Sequence, residues 1–443
     1  MQNSIRISKK EMNPSRMKIK LVTFAPHPNF GTCLQAYALN YVLREMGHDV
    51  EFIYNRREVP PLSLTGHIKK LVKKTMKIIL PDGLVNRLKE RNKSKANIVQ
   101  AGGNMPSTPY IISLPQHRIL KIFSTFPFYQ TLAKHWYYTN LQQRKVYKFT
   151  FLDNNFRMRR LFTHKDYIDA ANDADLFITG SDQIWNPFCG GYNPMMFLEF
   201  VNDGTKCISY SSSISQPQIH PMIEERMAKA LSKFNHIAVR EQRSVELLNE
   251  LLHRTDIKLV VDPTYLLSSE EWERFGNKAN IEFQVPEKYI FCYFVGNKRT
   301  DVYKRMVEDV KHFTGIEHVI NLECSNRNIT YGDGFTYQDA GPYEWVYLLR
   351  HASYICMDSF HATVFALKFH KEFVHAMKNM DDEAGSQNTR MYDILSRYGI
   401  LYKNYNGDNT LEWQQTIDYN RVDPIIKAEI EDSMDYLRYE IRG

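Results

Sequence analysis

A histidine stands where this sequence is best able to bind a small anion and move a proton. The apolar run 354–357 predicts a strand, and residues 362–369 predict the helix that follows it. Between them, Asp358 or Ser359 can cap the helix, which places His361 in its first turn beside backbone N–H groups without helical partners. A single histidine is more often structural, but at this junction the pattern predicts anion binding and acid–base chemistry.

An arginine at the end of another predicted strand is a second candidate for binding an anion. Arg240 closes the run 236–240, directly before Glu241. A guanidinium there can hold a carboxylate or a phosphate through two parallel hydrogen bonds. Because Glu241 is adjacent, an internal Arg–Glu ion pair is an equally open interpretation.

Polar residues crowd the loop that follows the predicted strand 175–179. After a turn at Gly180, the loop contains Ser181, Asp182, Gln183, Trp185 and Asn186. Amides and carboxylates recognise sugar hydroxyls, and an aromatic ring packs on the C–H face of a sugar. The loop therefore predicts a carbohydrate site at the carboxyl edge of a sheet, with a capped turn and a core Trp185 as the alternative.

A loop of small residues opens the predicted helix 32–46. Asn29 and Gly31 precede this helix, so backbone N–H groups at its start can meet an anionic or polar ligand. For a glycine loop taken by itself, a tight turn with a packed helix is the more common explanation.

Strand and helix patterns alternate along most of the chain. A strand, a glycine-containing loop, a helix and a further strand occupy 18–54, which is a βαβ unit and calls for a parallel sheet. The rhythm stops at 59–167, which we interpret as an insertion, and resumes from 175. A second series begins at 289, after a linker at 277–287.

The predicted fold class is α/β, with two Rossmann-like parallel-sheet domains facing a cleft. Residues 1–16 are interpreted as a disordered leader, 17–276 as the N-terminal domain, and 277–443 as the C-terminal domain with a terminal helix. Parallel sheets bind ligands at the carboxyl ends of their strands, so we expect the polar stretches to meet in the cleft.

The net charge of +7 over 443 residues is concentrated in one stretch. Residues 66–95 contain ten lysines and arginines against two acidic residues, mixed with apolar ones. Such a stretch can lie on an anionic membrane surface, although a solvated loop is the more common case. No motif that reads nucleic-acid grooves is present, so no nucleic-acid partner is expected.

Cysteine usage and hydropathy favour a soluble protein of the cytoplasm. The six cysteines are scattered without a C-x-x-C pair, which favours a reducing compartment and predicts no structural metal site. No apolar run approaches the roughly 20 residues of a membrane-spanning helix.

In their order along the chain, these stretches resemble the polysaccharide pyruvyl transferase family. The matching pieces are NFGTCLQAYAL, FITGSDQIWNP, CISYSSSIS, IAVREQRSVELL, VVDPTYLL and GPYEWVYLLRHASYICMDSFHATVFALKFHKEFV, which cover most of 18–397. The departures from the family's usual residues are Phe30, Thr32, Cys33, Ala362 and, in the pair Lys371-Glu372, a glutamate in place of the usual proline. None of them removes a candidate catalytic group.

The resemblance implies a fold similar to the GT-B glycosyltransferases, with no metal and no cofactor. The donor would be phosphoenolpyruvate, and the acceptor a hexose of a bacterial surface polysaccharide, expected as a polyprenyl-linked oligosaccharide precursor. Family members are thought to contact the donor through an Arg and a His that match Arg240 and His361. Peripheral membrane contact through 66–95 would suit such an acceptor.

The implied reaction gives each candidate a role. His361 would protonate the donor, Asp182 would act as base or orient the acceptor hydroxyls, and cations would hold the donor's carboxylate and phosphate. Those cations are Arg240, Arg390 and Lys368. The remaining substrate-binding candidates are Asn29, Gly31, Gly180, Ser181, Gln183, Trp185, Asn186 and Ser359. Two alternatives stay open: a nucleotide-sugar-dependent glycosyltransferase, and a non-catalytic carbohydrate-binding protein of polysaccharide assembly.

Overall fold

Two parallel β-sheets of five strands each form the framework of the described part of the chain. The computed structural model describes residues 16–24, 29–55, 156–189, 191–296, 298–322, 334–338, 340–383, 385–407 and 410–442. The predicted leader, apart from its last residue, and the basic stretch 66–95 lie outside these residues. The predicted fold class, α/β with parallel sheets, is confirmed.

The N-terminal sheet has the strand order β3-β2-β1-β4-β5, and every pair is parallel. Its strands are Lys18–Val22 (β1), Asp49–Tyr54 (β2), Arg157–Arg160 (β3), Leu176–Thr179 (β4) and Lys206–Ser209 (β5). The central strands β1 and β4 are buried along nearly their whole length, as expected where both faces of a sheet are covered. Two short strands, Ala238–Val239 (β6) and Lys258–Leu259 (β7), pair with each other beyond β5.

The C-terminal sheet repeats this order as β10-β9-β8-β11-β12, again with every pair parallel. Its strands are Ile290–Tyr293 (β8), Val319–Leu322 (β9), Phe335–Tyr337 (β10), Tyr354–Met357 (β11) and Phe373–His375 (β12). The strand order reverses between β1 and β4 in one sheet and between β8 and β11 in the other. Doubly wound sheets bind their ligands at such reversal points.

Ten α-helices cover these sheets within the described residues. They are Phe30–Glu45 (α1), His164–Asn172 (α2), Pro221–Leu231 (α3), Gln242–Leu252 (α4), Ser269–Gly276 (α5), Thr300–Thr314 (α6), Pro342–His351 (α7), Phe360–Lys368 (α8), Thr389–Arg397 (α9) and Tyr419–Glu440 (α10). In the part of the chain that is described, none of the helices has the length and apolar character that crossing a bilayer requires.

The predicted insertion at 59–167 is too long at its C-terminal end. Arg157–Arg160 forms β3 at the edge of the N-terminal sheet, and α2 follows it closely. The sequence RMRR does not show the apolar alternation that predicts a strand. At this edge of the sheet Arg157 forms ion pairs with Asp49 and Glu51 instead of entering the core. The rest of the predicted insertion, up to residue 155, lies outside the described residues.

Helix α1 joins the two halves of the protein in one hydrophobic core. Phe30, its first residue, stacks on Trp345 of α7 with ring centroids 6.0 Å apart and meets Tyr293 of β8 edge-on at 5.7 Å. All three rings are buried. The start of α1, at the carboxyl end of β1, is therefore held against the carboxyl end of β8.

The terminal helix α10 crosses back onto the N-terminal half. The hydroxyl of Tyr436 donates to the carbonyl oxygen of Ser209 at 3.0 Å, and the backbone N–H of Val261 donates to Ser433 Oγ at 2.9 Å. These contacts attach the C-terminal helix to the N-terminal half.

Candidate active site

A cavity of about 460 Å³ opens where the reversal points of the two sheets face each other. Its walls come from the loops after β1, β4, β8 and β11 and from the segment 378–390. Six of the residues predicted from sequence line it: Asn29, Asp182, Gln183, Ser359, His361 and Arg390. Residues that are far apart in the sequence thus meet in one hollow.

His361 lies on the cavity wall in the first turn of α8. Ser359 caps this helix by accepting a hydrogen bond from the backbone N–H of Ala362 at 3.4 Å. The imidazole packs against Gly31 of α1, where an added Cβ would overlap with Nδ1 of the histidine. Gly31 therefore allows the starts of the two helices to approach closely, which explains its place in the site.

The buried carboxylate of Asp262 joins the histidine to the arginine. Its Oδ2 accepts a hydrogen bond from Arg240 Nη1 at 3.0 Å and lies 3.5 Å from His361 Nε2. Burial opposes ionisation of this carboxyl, but the charges of His361 and Arg240 hold its pKa well below the ordinary value. The two side chains on which the sequence analysis centred therefore contact the same oxygen atom.

Arg240 is buried behind the cavity wall and is not itself a lining residue. Its Cζ lies 4.2 Å from the ring centre of Phe360, which does line the cavity. Its Nε donates to Glu241 at 3.3 Å, so the internal ion pair left open by the sequence is present. Its Nη2 has no hydrogen-bond partner and lies 3.9 Å from Asp182 Oδ1. A buried donor of this kind is usually met by a ligand or a water molecule.

Asp182 is oriented by the start of α1. Its Oδ2 accepts a hydrogen bond from the Thr32 hydroxyl at 2.7 Å, and its Oδ1 accepts one from the backbone N–H of Gln183 at 2.8 Å. Burial opposes ionisation, yet the charges of His361 and Arg240 keep the pKa of Asp182 below its ordinary value. The carboxylate is therefore ionised at neutral pH and fixed in position.

The prediction that Trp185 stacks on a sugar is wrong. Its indole is 1% exposed, stacks on Phe197 with ring centroids 5.9 Å apart, and donates from Nε1 to the carbonyl oxygen of Met196 at 3.2 Å. Burying so large a ring with its N–H hydrogen-bonded stabilises the fold more than leaving the ring exposed to water in the loop. Three further candidates of this loop are buried and do not line the cavity: Gly180, Ser181 and Asn186.

Phe188 is the aromatic residue of this loop that reaches the cavity. Its side chain is 48% exposed and meets the ring of His220 edge-on at 5.8 Å. Its ring also lies close to Gly385 of the C-terminal half, where an added Cβ would come within 2.8 Å. Phe188 therefore offers the half-exposed apolar face that the sequence analysis assigned to Trp185.

The prediction that Lys368 binds the same ligand as His361 is also wrong. Its Nζ donates to the carbonyl oxygen of Tyr265 at 2.9 Å, in a separate groove of about 740 Å³ between α1 and α10. Lys368 follows His361 by two helical turns, which carries it about 10 Å along the axis of α8. Burial lowers the pKa of this lysine to about 8.

Arg390 and Lys378 form the cationic part of the cavity wall. Arg390 is 8% exposed, its Nη2 donates to Gln387 Oε1 at 3.4 Å, and its Nε has no hydrogen-bond partner. Lys378 Nζ donates to the same Gln387 oxygen at 3.2 Å. The sequence analysis predicted Arg390 and Lys368 as cations of this site, whereas the cations that line the cavity are Arg390 and Lys378.

Besides Phe188, three polar residues of the site escaped the sequence analysis: Asp262, Lys378 and Gln387. Asp262 follows β7 within the piece VVDPTYLL, so a carboxylate directly after a predicted strand was a usable signal. Lys378 and Gln387 lie in an irregular loop, and no periodicity marks them. Within the described ranges, no group of three or more His, Cys, Asp or Glu residues is arranged to hold a metal ion.

The acidic groups of the cavity are already engaged with protein donors, whereas several cationic groups are not. Asp358 accepts hydrogen bonds from two backbone N–H groups at 2.5 and 2.6 Å and from Tyr303 at 2.8 Å. Arg240, His361 and Arg390 each keep one nitrogen without a hydrogen-bond partner. This imbalance favours a small anion held beside an imidazole.

Replacement of Trp185 tests its role in the core. We expect Trp185→Ala to lower the free energy of unfolding by about 3–5 kcal/mol, because it leaves a large cavity, and Trp185→Phe to lower it by less. Phe188→Ala is the matched control and should cost under about 1 kcal/mol, since that ring is half exposed. Urea denaturation measures all three. A Trp185→Ala protein as stable as the wild type would contradict the placement.

Lys368 makes the stability depend on pH in a defined direction. Between about pH 8 and its ordinary value of 10.5, the unfolded chain binds the proton that the folded chain has released, so the free energy of unfolding rises with pH. Lys368→Met should lack this increase, which amounts to about 2 kcal/mol by pH 9.5. Urea denaturation of both proteins at pH 7 and pH 9.5 gives the change in the free energy of unfolding between the two pH values. An equal change in both proteins would refute the assignment.

Several solved structures are similar to this one over most of the chain. UGT89C1 of Arabidopsis thaliana, complexed with UDP-L-rhamnose, has a TM-score of 0.46 and 9% identity, over 97% of this chain and 100% of that one. UDP-GlcNAc 2-epimerase of Neisseria meningitidis has a TM-score of 0.42 and 10% identity, over 96% of this chain and 93% of that one. The glycosyltransferase SnogD of Streptomyces nogalater has a TM-score of 0.40 and 10% identity, over 95% of each chain. Such distant likenesses carry no information on the substrate of this protein.

Comparison with curated proteins gives no match. The sequence of residues 29–377, by contrast, matches a family described as polysaccharide pyruvyl transferase. The matched range begins at Asn29 and includes Asp182, Arg240, Asp262 and His361. It spans well over half of the chain, so the protein belongs to the polysaccharide pyruvyl transferase family.

Proposed function

We propose that this protein transfers the enolpyruvyl carbons of phosphoenolpyruvate to two hydroxyls of a hexose, forming a pyruvate ketal and releasing phosphate. Membership of the family supports a polysaccharide substrate. The observation that carries the choice of donor is the group of basic side chains at and directly behind one cavity wall, His361, Arg390 and Arg240. Each of them has a buried nitrogen without a hydrogen-bond partner. Donors of this kind are rare unless a ligand or a water molecule meets them.

The size and charge of the cavity suit a small molecule with two anionic groups. Its volume of about 460 Å³ lies in the range of small-molecule sites. The guanidinium carbons of Arg240 and Arg390 lie 4.2 and 5.8 Å from the ring centre of Phe360, so two arginines flank one wall. Arginine pairs well with carboxylate and phosphate oxygens, and the donor carries both.

His361 is the proposed general acid. It gives a proton to the C3 methylene of the donor, which becomes a methyl group and leaves C2 electron-poor. One sugar hydroxyl forms a C–O bond to C2, and a second hydroxyl forms another as the bond from C2 to the phosphate oxygen breaks. One hydroxyl proton restores the imidazolium, and the other leaves on the phosphate.

The surroundings of His361 support this role. Its Nε2 faces the Asp262 carboxylate at 3.5 Å, so Nδ1, which lies beside Gly31, is the ring nitrogen that gives the proton to the donor. The ring is therefore confined between the two halves of the protein, and the carboxylate can orient it and hold the imidazolium. Arg240 donates to the same carboxylate oxygen and so helps to keep this carboxyl ionised beside the imidazole.

The acceptor is proposed to bind on the N-terminal side of the cavity. Phe188 offers an apolar face there, and Asn29 and Gln183 offer amide groups. Asp182 is the proposed base or orienting group for the hydroxyls, because its carboxylate is ionised and fixed by Thr32. We propose a polyprenyl-linked oligosaccharide as the acceptor, in the cytoplasm, at the inner face of the membrane. Free cysteines among the described residues suit a reducing compartment.

Product analysis tests the proposed function directly. The protein is incubated with a hexose-containing oligosaccharide and either phosphoenolpyruvate or UDP-sugars, and free phosphate, UDP and the mass of the acceptor are measured. We expect phosphate release and one added pyruvyl unit with phosphoenolpyruvate only. UDP release with glycosylated product would establish a glycosyltransferase instead, and sugar binding without any product would establish a non-catalytic protein.

His361→Ala should lower kcat about 10²–10⁴-fold, the usual contribution of a general acid. Circular dichroism should show that the variant is folded, because Arg240 and Ser181 still donate hydrogen bonds to Asp262. Unchanged turnover in the folded variant would remove His361 from the mechanism.

Gly31→Ala should lower turnover about 10²-fold by displacing His361, since misplacement of a reacting group by about 1 Å has effects of this size. Alanine is preferred over glycine inside a helix, so α1 itself should not be weakened. Gly276→Ala in α5 is the matched control, because it changes a helical glycine whose contacts lie away from the cavity. Turnover equal to that of this control would contradict the close contact.

A further inference from the structure

The side-chain oxygen of Gln387 accepts more hydrogen bonds than a neutral amide can satisfy well. Lys378 Nζ donates to it at 3.2 Å, Arg390 Nη2 at 3.4 Å, and Gln183 Nε2 from the opposite half of the protein at 3.2 Å. An amide oxygen has two lone pairs, so three donors, two of them cationic, share an acceptor built for two. Such an arrangement resembles the donor set around a phosphate oxygen.

The loop that carries Gln387 brings the two cations together. Lys378 and Arg390 stand at its two ends, and Asn388 closes its neck by donating from its side chain to the carbonyl oxygen of Asn379 at 2.8 Å. The side-chain N–H of Gln387 meets only a weak acceptor, Cys189 Sγ, at 3.4 Å. The glutamine is therefore weakly held on one side, whereas the cations are held in place by the loop.

Arg390 is the cation at this oxygen that still has an unused hydrogen-bond donor. Arg390 is 8% exposed and keeps Nε without a hydrogen-bond partner. The carboxylate of Asp358, on the same cavity, already accepts hydrogen bonds from Tyr303 and two backbone N–H groups. The guanidinium of Arg390 and the half-buried ammonium of Lys378 gain from an anion a Coulomb attraction that a neutral amide oxygen does not supply.

We infer that Lys378 and Arg390 form the subsite for the phosphoryl group, and that Gln387 Oε1 occupies the place of a phosphoryl oxygen until that group binds. The assignment rests on the proposed function for the identity of the donor. Entry of the phosphoryl group displaces the glutamine oxygen and also frees Gln183, which lies on the side proposed for the acceptor. Binding of the donor is thus linked to preparation of the acceptor side.

Phosphate binding by calorimetry tests this assignment, with inorganic phosphate and pyruvate as separate probes. Lys378→Met should weaken binding of phosphate at least tenfold and binding of pyruvate by less than threefold, because pyruvate has the carboxylate but no phosphoryl group. Lys368→Met is the matched control: it removes another partly buried lysine of the same half, outside the cavity, and should bind phosphate as the wild type does. Unchanged phosphate binding in Lys378→Met, or equal losses for both probes, would overturn the subsite.

Gln387→Ala should change the affinity for phosphate in the direction opposite to Lys378→Met. Removal of the internal acceptor should tighten phosphate binding severalfold and enlarge the increase in Tm that phosphate produces, because nothing has to be displaced. A loss of phosphate affinity similar to that of Lys378→Met would overturn the role of Gln387 as a stand-in. Lys378→Gln, checked by circular dichroism, replaces Lys378→Met if the latter fails to fold.

The outcomes separate this inference from the proposed function. Binding of phosphate with the expected pattern, but no ketal from the wild-type protein, would refute the function and leave the anion subsite in place. Ketal formation by the wild type together with normal phosphate binding in Lys378→Met would refute the subsite alone.

Discussion

The carboxylate of Asp262 is the interaction on which the rest of the site depends. It comes from the N-terminal half, accepts hydrogen bonds from Arg240 and Ser181, and faces His361 of the C-terminal half. A buried carboxylate is stable only when cations and hydrogen-bond donors surround it. The requirement to satisfy Asp262 therefore fixes the arginine and the histidine close to each other.

The second constraint is steric, and it acts at the start of α1. Gly31 leaves just enough room for the imidazole of His361, and Phe30 beside it is buried between Trp345 and Tyr293. The same aromatic cluster that joins the halves thus sets how closely the two helix starts approach. Packing and chemistry are coupled here, because a shift of α1 moves one wall of the cavity.

Much of the fold follows from local pattern. The apolar runs that became β4, β8 and β11 are nearly continuous, as expected for central strands of a parallel sheet, and polar residues follow β4 and β11 closely. The edge strands were less readable. β3 has the charged sequence RMRR, and β10 and β12 have three residues each, too short for any periodicity to show.

The sequence by itself determined the alternation of strands and helices, the positions of polar residues after the central strands, and the pairing of a capped helix start with His361. These properties depend on neighbours within a few residues. Only the tertiary structure decided that Trp185 belongs to the core, that Lys378 replaces Lys368 at the cavity, and that Asp262 lies between Arg240 and His361. Those outcomes depend on how far one element is rotated and shifted against another, and that distance is set by the packing of the two halves, which no local pattern records.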